Sequence, residues 1–280
     1  MFKNQFKTVI LLALLTALVL WIGQLFGTSG IIIASVFVVI FNFAGYWYSD
    51  KIVLKTYKAK EIGEKDDPRF YKIVKEVAHL ANIPMPKVYI IPSDSPNAFA
   101  TGRNPEHGAV AASSGILELL NNDELKGVMA HEISHIKHRD TLIQVVVGMV
   151  AGVISYVATM AQWAAIFGGF GRDNDNSFIQ LIALAIVAPL AASIIQLAIS
   201  RSREFMADEG AAKLLHNGFG LASALEKLEL GIKQKPLRMG SNSTAHLFIS
   251  SPFRKKSFSS LFSTHPSTKE RVNRLKEMSF

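Results

Sequence analysis

The sequence predicts an α+β protein, mostly helical with a small β-sheet, carried on four transmembrane helices. Three observations lead to this fold class. The 280 residues contain three long windows without a charged side chain. The polar segments between them combine helical and strand patterns. The chain has no cysteine, so it is not a secreted disulfide scaffold, and any metal site must use histidines and carboxylates.

The charge-free windows predict two helical hairpins in a membrane. They are Thr8–Ser49, Thr141–Gly171 and Asn176–Ser200. A spanning helix needs about 20 mostly apolar residues, so the first window is long enough for two spans that turn at Gly27–Gly30. The other two windows are joined by a short polar loop at 168–175. A signal peptide fits the start less well because no A-x-A site follows, and a soluble core would need more polar protein to cover four apolar helices.

Basic residues flank the span ends that lie away from the two short turns. They are Lys3, Lys7, Lys51, Lys55, Arg139, Arg201 and Arg203. The positive-inside rule therefore places both polar parts in the cytoplasm. The predicted domains are a transmembrane hairpin over 1–50, a first polar part over 51–140, a second hairpin over 141–200 and a second polar part over 201–280. The basic last part fits a lipid bilayer as partner, and no pattern indicates a nucleic-acid partner.

The first polar part is predicted to begin with a helix and to continue with short strands. Asp67 and Pro68 are the expected N-cap and first residue of that helix, which breaks at 82–86. Strand candidates follow at Val88–Ile91, Ala98–Thr101 and Ala109–Ala112. A second helix is expected from Asn122 toward the membrane.

The second helix carries the pattern H-E-x-x-H, formed by His131, Glu132 and His135. Residues four apart lie on one face of a helix, so both imidazoles can reach one tetrahedral ion. Glu132 is rotated by about 100° from His131 and lies beside the attacking water, where it can take a proton. A catalytic zinc ion also needs a third protein ligand and an open position, which this pattern alone does not supply.

Glu204 is the best candidate for the third ligand. It follows the last charge-free window, and Asp208 lies four residues later on the same helical face. Asp208 can therefore accept a hydrogen bond from a ligand histidine and fix its tautomer. Glu204 comes 69 residues after His135, but the predicted hairpin returns the chain to the same membrane face. Taken alone, each carboxylate also fits a solvated surface residue.

Four motifs occur together along the chain. They are Pro96–Gly102, the H-E-x-x-H pattern before a hairpin, Arg203–Asp208 after it, and Thr264-His265-Pro266 with Arg271 near the end. In this combination the whole chain resembles the bacterial HtpX membrane metallopeptidases, relatives of the CAAX prenyl endopeptidase within the gluzincins. The resemblance implies a zincin-like peptidase domain and one Zn²⁺ per chain. It implies that His131, His135 and Glu204 bind the metal and that Glu132 is the general base.

The resemblance also implies where the protein works and what it does. We expect a multi-pass zinc endopeptidase of the cell inner (cytoplasmic) membrane whose active site faces the cytoplasm. Its polypeptide substrates would be membrane or misfolded proteins, cleaved in quality control and in the envelope stress response.

Three further assignments accompany the resemblance. An edge strand of four residues is expected to pair with an extended substrate through main-chain hydrogen bonds; it consists of Asn97, Ala98, Phe99 and Ala100. The alternative for this segment is an ordinary turn. His265 is expected to donate a hydrogen bond to the oxyanion, although an isolated histidine before proline also fits a plain loop. Arg271, on the final helix, is expected to brace a carboxylate such as Asp208.

Two rival functions fit part of the pattern. A site-2-type intramembrane protease would place H-E-x-x-H inside an apolar span, whereas polar residues bracket it here at 121–124 and 137–140. A zinc-stabilised membrane adaptor would need the metal ligands but not Glu132, which has no duty as a ligand. The sequence therefore favours a zinc peptidase at the membrane face.

Overall fold

The structure is a computed structural model of the chain. It describes residues 2–24, 27–141, 143–144, 201–236, 248–249 and 266–279, and the single positions 154, 156, 158, 159 and 185. The chain divides into two compact units. One unit comprises Met1–Gly45 and Val146–Ile199, and the other comprises Tyr46–Val145 and Ser200–Phe280. Every site residue discussed below belongs to the second unit.

Two long helices begin the chain, α1 (Phe2–Gln24) and α2 (Gly27–Thr56). The predicted turn at Gly27–Gly30 is wrong in detail, because these residues form the first turn of α2. Gly27 has a φ of 74°, which a glycine adopts without steric cost. Within the described residues, no helix is long and apolar enough to cross a membrane, so the four predicted transmembrane helices are not confirmed. Most of 141–200, including the predicted loop at 168–175, lies outside the described residues.

The second unit contains a small mixed sheet, in agreement with the predicted α+β class. Its strands are β1 (Lys60–Ile62), β2 (Lys87–Ile91), β3 (Ala98–Thr101) and β4 (Ala109–Ser113), in the order β1-β2-β4-β3. The central pair β2 and β4 is parallel, and each outer strand is antiparallel to its neighbour. The strand patterns predict β2, β3 and β4 to within one residue. They do not predict β1, which has three residues of which two are charged.

Helices cover this sheet, and local sequence signals explain where several of them begin. They are α3 (Pro68–Ala81), α4 (Ser114–Leu119), α5 (Asn122–Lys137), α6 (residues 201–215), α7 (Phe219–Gln234) and α8 (Thr268–Glu277). Asp67 caps α3 as predicted, since its carboxylate accepts the Phe70 N–H at 2.9 Å. Asn82 ends α3 in the left-handed conformation.

Helix α5 is the central element of the second unit. It packs against α3, α7 and the strands β3 and β4. A capping box closes its N-terminus: the Asn121 side chain accepts the Glu124 N–H at 2.9 Å, and the Glu124 carboxylate accepts the Asn121 N–H at 3.0 Å. A Cβ at Gly127 would lie 2.7 Å from the Leu221 nitrogen, so glycine permits the close approach of α7. Packing on several sides holds α5 in place and makes it a rigid carrier for its polar side chains.

Candidate active site

Three buried side chains converge between α5 and α6. His131 and His135 lie one turn apart on α5, with their Nε2 atoms 3.2 Å from each other. Glu204 of α6 places its carboxylate oxygens 3.6 Å from the His131 Nε2 and 3.5 Å from the His135 Nε2. All three residues are buried, and their donor atoms lie within 4.8 Å of one another. Ligand atoms of a tetrahedral zinc ion, each about 2.0–2.1 Å from the metal, lie about 3.3 Å apart, so the spacing fits one ion.

Carboxylates on the far side of both rings prepare the histidines for a metal. The His131 Nδ1 lies 3.0 Å from Asp208, and the His135 Nδ1 lies 3.4 Å from Asp140. Such a partner assigns the ring proton to Nδ1 and leaves the lone pair on Nε2. When both rings are neutral in this tautomer, two Nε2 lone pairs and the Glu204 carboxylate face one another, and a bound cation stabilises that arrangement. Zn²⁺ binds such nitrogen and carboxylate donors, so the residues present fit the metal.

Each of these two aspartates is held by its own arginine. Arg271 of α8 donates to both oxygens of Asp208 at 2.8 Å, and its Nη1 lies 3.3 Å from Glu204. Arg203 of α6 donates to Asp140 at 2.7 Å. A planar guanidinium suits such forked contacts. Two arginine–aspartate–histidine chains therefore hold the site, one for each histidine.

The pKa shifts reflect this concentration of buried charge. Burial lowers the pKa of His131 and His135, but hydrogen bonds to the carboxylates outweigh it, so the pKa of His131 is raised and that of His135 rises to about 10. Burial raises the pKa of Asp208, yet the Arg271 guanidinium holds it below its ordinary value. The surrounding carboxylates thus favour a positive charge at the histidines, carried either by protons or by a metal ion.

Glu132 is buried beside the three converging side chains without joining them. Its Oε1 has no hydrogen-bond partner among the described residues. Burial raises the pKa of Glu132 above its ordinary value. A carboxylate oxygen without a hydrogen-bond partner can exchange a proton with a small molecule that enters the site.

Small residues allow α6 to approach α5 closely enough to form this site. A Cβ at Gly210 would lie 2.9 Å from the Ser134 Oγ. The Ser134 hydroxyl turns back along α5 and donates to the Ala130 carbonyl at 2.8 Å. Ala207 and Ala211 of α6 are also buried. The resulting close contact of the two helices brings the α6 carboxylates to the α5 histidines.

The predicted substrate strand lies at an edge of the sheet, but its open side is not bare. Asn97–Ala100 are buried. Asn97 immediately precedes β3, and the other three residues belong to the strand. The Ala98 carbonyl accepts the Ile249 N–H at 3.1 Å. Phe99 forms an antiparallel bridge with Phe248. A segment of the same chain therefore pairs with the edge that is predicted for the substrate.

The sequence does not predict the second arginine–aspartate pair, Arg203 and Asp140. Both were visible beside known motifs, since Asp140 lies five residues after His135 and Arg203 lies just before Glu204. Charged residues at a span end also fit a membrane flank, so the sequence alone does not separate the two roles. His265 lies outside the described residues, and its role stays a prediction.

Comparison with known proteins identifies relatives of nearly the full chain. Residues 64–279 match Peptidase family M48. The chain is 50% identical over 281 residues to "Protease HtpX homolog" of Syntrophobacter fumaroxidans, covering 98% of this chain and 99% of that protein. It is 50% identical over 275 residues to "Protease HtpX homolog" of Thermococcus kodakarensis, covering 97% and 95%. The crystal structure of S. mikatae Ste24p is similar in fold, with a TM-score of 0.56 at 21% identity, over 98% of this chain and 66% of that chain.

Proposed function

Because the chain belongs to peptidase family M48 and is thus a zinc metallopeptidase, we propose that His131, His135 and Glu204 bind its single zinc ion. The observation that carries this assignment is the convergence of their donor atoms, 3.2 to 3.6 Å apart, at one buried point. The resemblance to HtpX peptidases, which the comparisons confirm, supports the same ligand set. A zinc ion bound there would act as a Lewis acid. It would polarise the scissile carbonyl and lower the pKa of a water molecule to about 7.

We assign proton transfer to Glu132. Its Oε1 takes a proton from a water molecule as the water oxygen attacks the scissile carbonyl carbon. Oε1 of Glu132 then gives that proton to the amine nitrogen as the C–N bond breaks. The free Oε1 supports this role, since no partner must be displaced. His265 is proposed to donate a hydrogen bond to the oxyanion that forms on the carbonyl.

Four charged residues are proposed to position the histidines rather than to touch the substrate's reacting atoms. Asp208 with Arg271 fixes one ring, and Asp140 with Arg203 fixes the other. Their support is geometric, because each aspartate contacts a histidine Nδ1 and each arginine neutralises the charge of one of these buried carboxylates. Removal of such a partner typically weakens metal binding about 10- to 100-fold.

The proposed substrates are extended polypeptides that pair with Asn97–Ala100. Strand addition uses main-chain hydrogen bonds, so it tolerates many sequences and requires an unfolded segment. This requirement supports membrane or misfolded proteins as substrates and a role in quality control and envelope stress.

We further propose that the protein is integral to the cell inner membrane and has its active site on the cytoplasmic side. The charge-free windows and their basic flanks support four spans with this orientation. The two compact units support the division into hairpins at 1–50 and 141–200 and peptidase parts at 51–140 and 201–280. The lipid bilayer is thus a partner of the protein.

Zinc analysis of Glu204→Ala tests the ligand set. The variant lacks one of three protein ligands, so we expect its zinc affinity to fall by more than about 100-fold, a larger loss than a positioning residue causes. The matched control is Glu209→Ala on the same helix, whose carboxylate contacts the exposed Lys213 and which should keep one zinc per chain. Full zinc occupancy in the Glu204 variant after identical dialysis would show that another residue completes the site.

A further inference from the structure

The open edge of β3 carries two residues of the chain itself, Phe248 and Ile249. The Ile249 N–H donates to the Ala98 carbonyl at 3.1 Å, and Phe248 is bridged to Phe99 in antiparallel orientation. On its other side β3 pairs with β4. Phe248–Ile249 therefore uses the hydrogen-bonding edge that the proposed function gives to a substrate.

The same segment also reaches the proposed zinc site. The Ile249 carbonyl accepts a hydrogen bond from the Arg271 Nη1 at 2.7 Å. That nitrogen lies 3.3 Å from the Glu204 Oε2. Two contacts thus hold the main chain of Ile249. Its N–H donates to the edge strand, and its carbonyl accepts from a guanidinium that contacts a proposed metal ligand. A substrate held for hydrolysis needs the same two restraints, an antiparallel strand and a fixed carbonyl beside the metal ligands.

The Phe248 ring fills an aromatic pocket. Its centroid lies 4.9 Å from that of Tyr57 and 5.4 Å from that of Phe99, with interplanar angles of 87° and 84°. All three rings are at most 2% exposed. Edge-to-face packing at these distances favours an aromatic ring over an aliphatic side chain of similar size. The pocket is therefore selective for the type of side chain that now occupies it.

We propose that Phe248–Ile249 is an internal ligand of the substrate groove and that Tyr57 and Phe99 form a subsite for an aromatic substrate side chain. This inference rests on the proposed function, because it takes β3 as the substrate edge. A polypeptide must displace Phe248 before it pairs with β3. A substrate with an aromatic residue followed by an aliphatic residue would restore the contacts that Phe248 and Ile249 give up. Folded proteins usually bury such pairs, so the internal ligand favours unfolded substrates and restrains the resting enzyme.

Peptide binding tests the subsite without any need for hydrolysis. The probe is a fluorescein-labelled peptide His-Leu-Phe-Ile-Ser, which copies residues 246–250, added to the zinc-loaded full-length chain with Glu132→Gln. We expect the additional change Phe248→Leu to raise its affinity about 3- to 10-fold, because the internal competitor is weakened. A peptide with alanine in place of the phenylalanine should bind at least about 10-fold more weakly. Phe70→Leu, the same change at an equally buried ring of α3, should leave peptide affinity unchanged.

Kinetics with the active enzyme separate this inference from the proposed function. In the chain that retains Glu132, Phe248→Leu should lower the KM for the unlabelled peptide by about 3- to 10-fold and change kcat much less. The subsite would be overturned, even if hydrolysis occurs, by either of two results. One is equal affinity for the two peptides, and the other is a Phe248→Leu protein that binds the phenylalanine peptide no more tightly than its parent. The expected binding pattern in a protein that hydrolyses nothing would support the subsite and contradict the proposed function.

Discussion

The two histidines of the site are held by carboxylates at different distances. Asp208 lies 3.0 Å from the His131 Nδ1, whereas Asp140 lies 3.4 Å from the His135 Nδ1. A carboxylate on Nδ1 orients the ring and increases the basicity of Nε2, which strengthens the bond to a metal. We therefore expect both aspartates to contribute to zinc affinity and the closer one to contribute more.

Asparagine at these two positions tests this expectation. Asp140→Asn and Asp208→Asn keep the side-chain shape but remove the charge, so each should weaken zinc binding about 10- to 100-fold, with the greater loss at Asp208. Competition with a chromogenic chelator measures the affinity. Asp123→Asn, an exposed change at the start of α5, is the control. Unchanged affinity in Asp140→Asn would remove Asp140 from the positioning residues.

Local spacing explains which site residues could be predicted from the sequence. His131 and His135 share a helical face, so a short pattern is sufficient to predict them. Glu204 is predicted from the expected return of the chain to the same membrane face. The contact between Asp140 and Arg203 joins residues 63 apart, and it depends on how α6 packs against the end of α5. No periodicity encodes that packing, and the same holds for the pairing of Phe248 with β3.

The N-terminus of α5 is fixed by one buried carboxylate. Glu124 accepts hydrogen bonds from Ser223 at 2.6 Å and from Lys227 at 2.8 Å, both on α7, and from the Asn121 N–H. Burial raises the pKa of Glu124, but these hydrogen bonds outweigh it, so its pKa lies below the ordinary value. The charged form is therefore the one that stabilises the fold, and it links α5 to α7.

Glu124→Gln should lower stability in a pH-dependent way. The wild-type contribution is complete above the unfolded-state pKa of about 4.3 and is lost as the pH falls through the lower folded-state pKa. At pH 7 we expect the variant to lose about 1 kcal/mol, or about 2–4 °C of the thermal midpoint, and this difference should shrink toward pH 3. Thermal unfolding in detergent, with the exposed Glu118→Gln as control at each pH, measures it. A difference that does not change with pH would contradict the role of the charge.

The elements with strong local signals are the ones that the sequence predicts correctly. The N-cap and proline of α3 and the start of α5 are examples. Residues Gly27–Gly30 are helical because two glycines three residues apart inside an apolar run do not require a turn. Strand β1 forms through its antiparallel pairing with β2, a tertiary contact that three residues cannot encode by alternation.

The proposed zinc site requires residues 131–135 and residue 204 to lie on one side of the membrane. The chain has no cysteine, so single introduced cysteines report the side of each segment. Cysteines at Thr28 and Asn174 should react with a membrane-impermeant thiol reagent in intact cells, and those at Glu64 and Ser243 only after permeabilisation. If the cysteines at positions 64 and 243 were labelled from opposite sides of the membrane, the two polar parts could not share one zinc site.

Hydrolysis by the Glu132→Gln protein tests most directly whether the chain cleaves peptides at a zinc site served by Glu132. Glutamine keeps the size of the side chain and removes the proton acceptor. We predict one zinc per chain, an unchanged thermal midpoint, and a loss of casein cleavage of at least about 100-fold, whereas the exposed Glu118→Gln should cleave casein like the wild type. A Glu132→Gln protein that holds its zinc and still cleaves casein at nearly the wild-type rate would contradict the proposed mechanism.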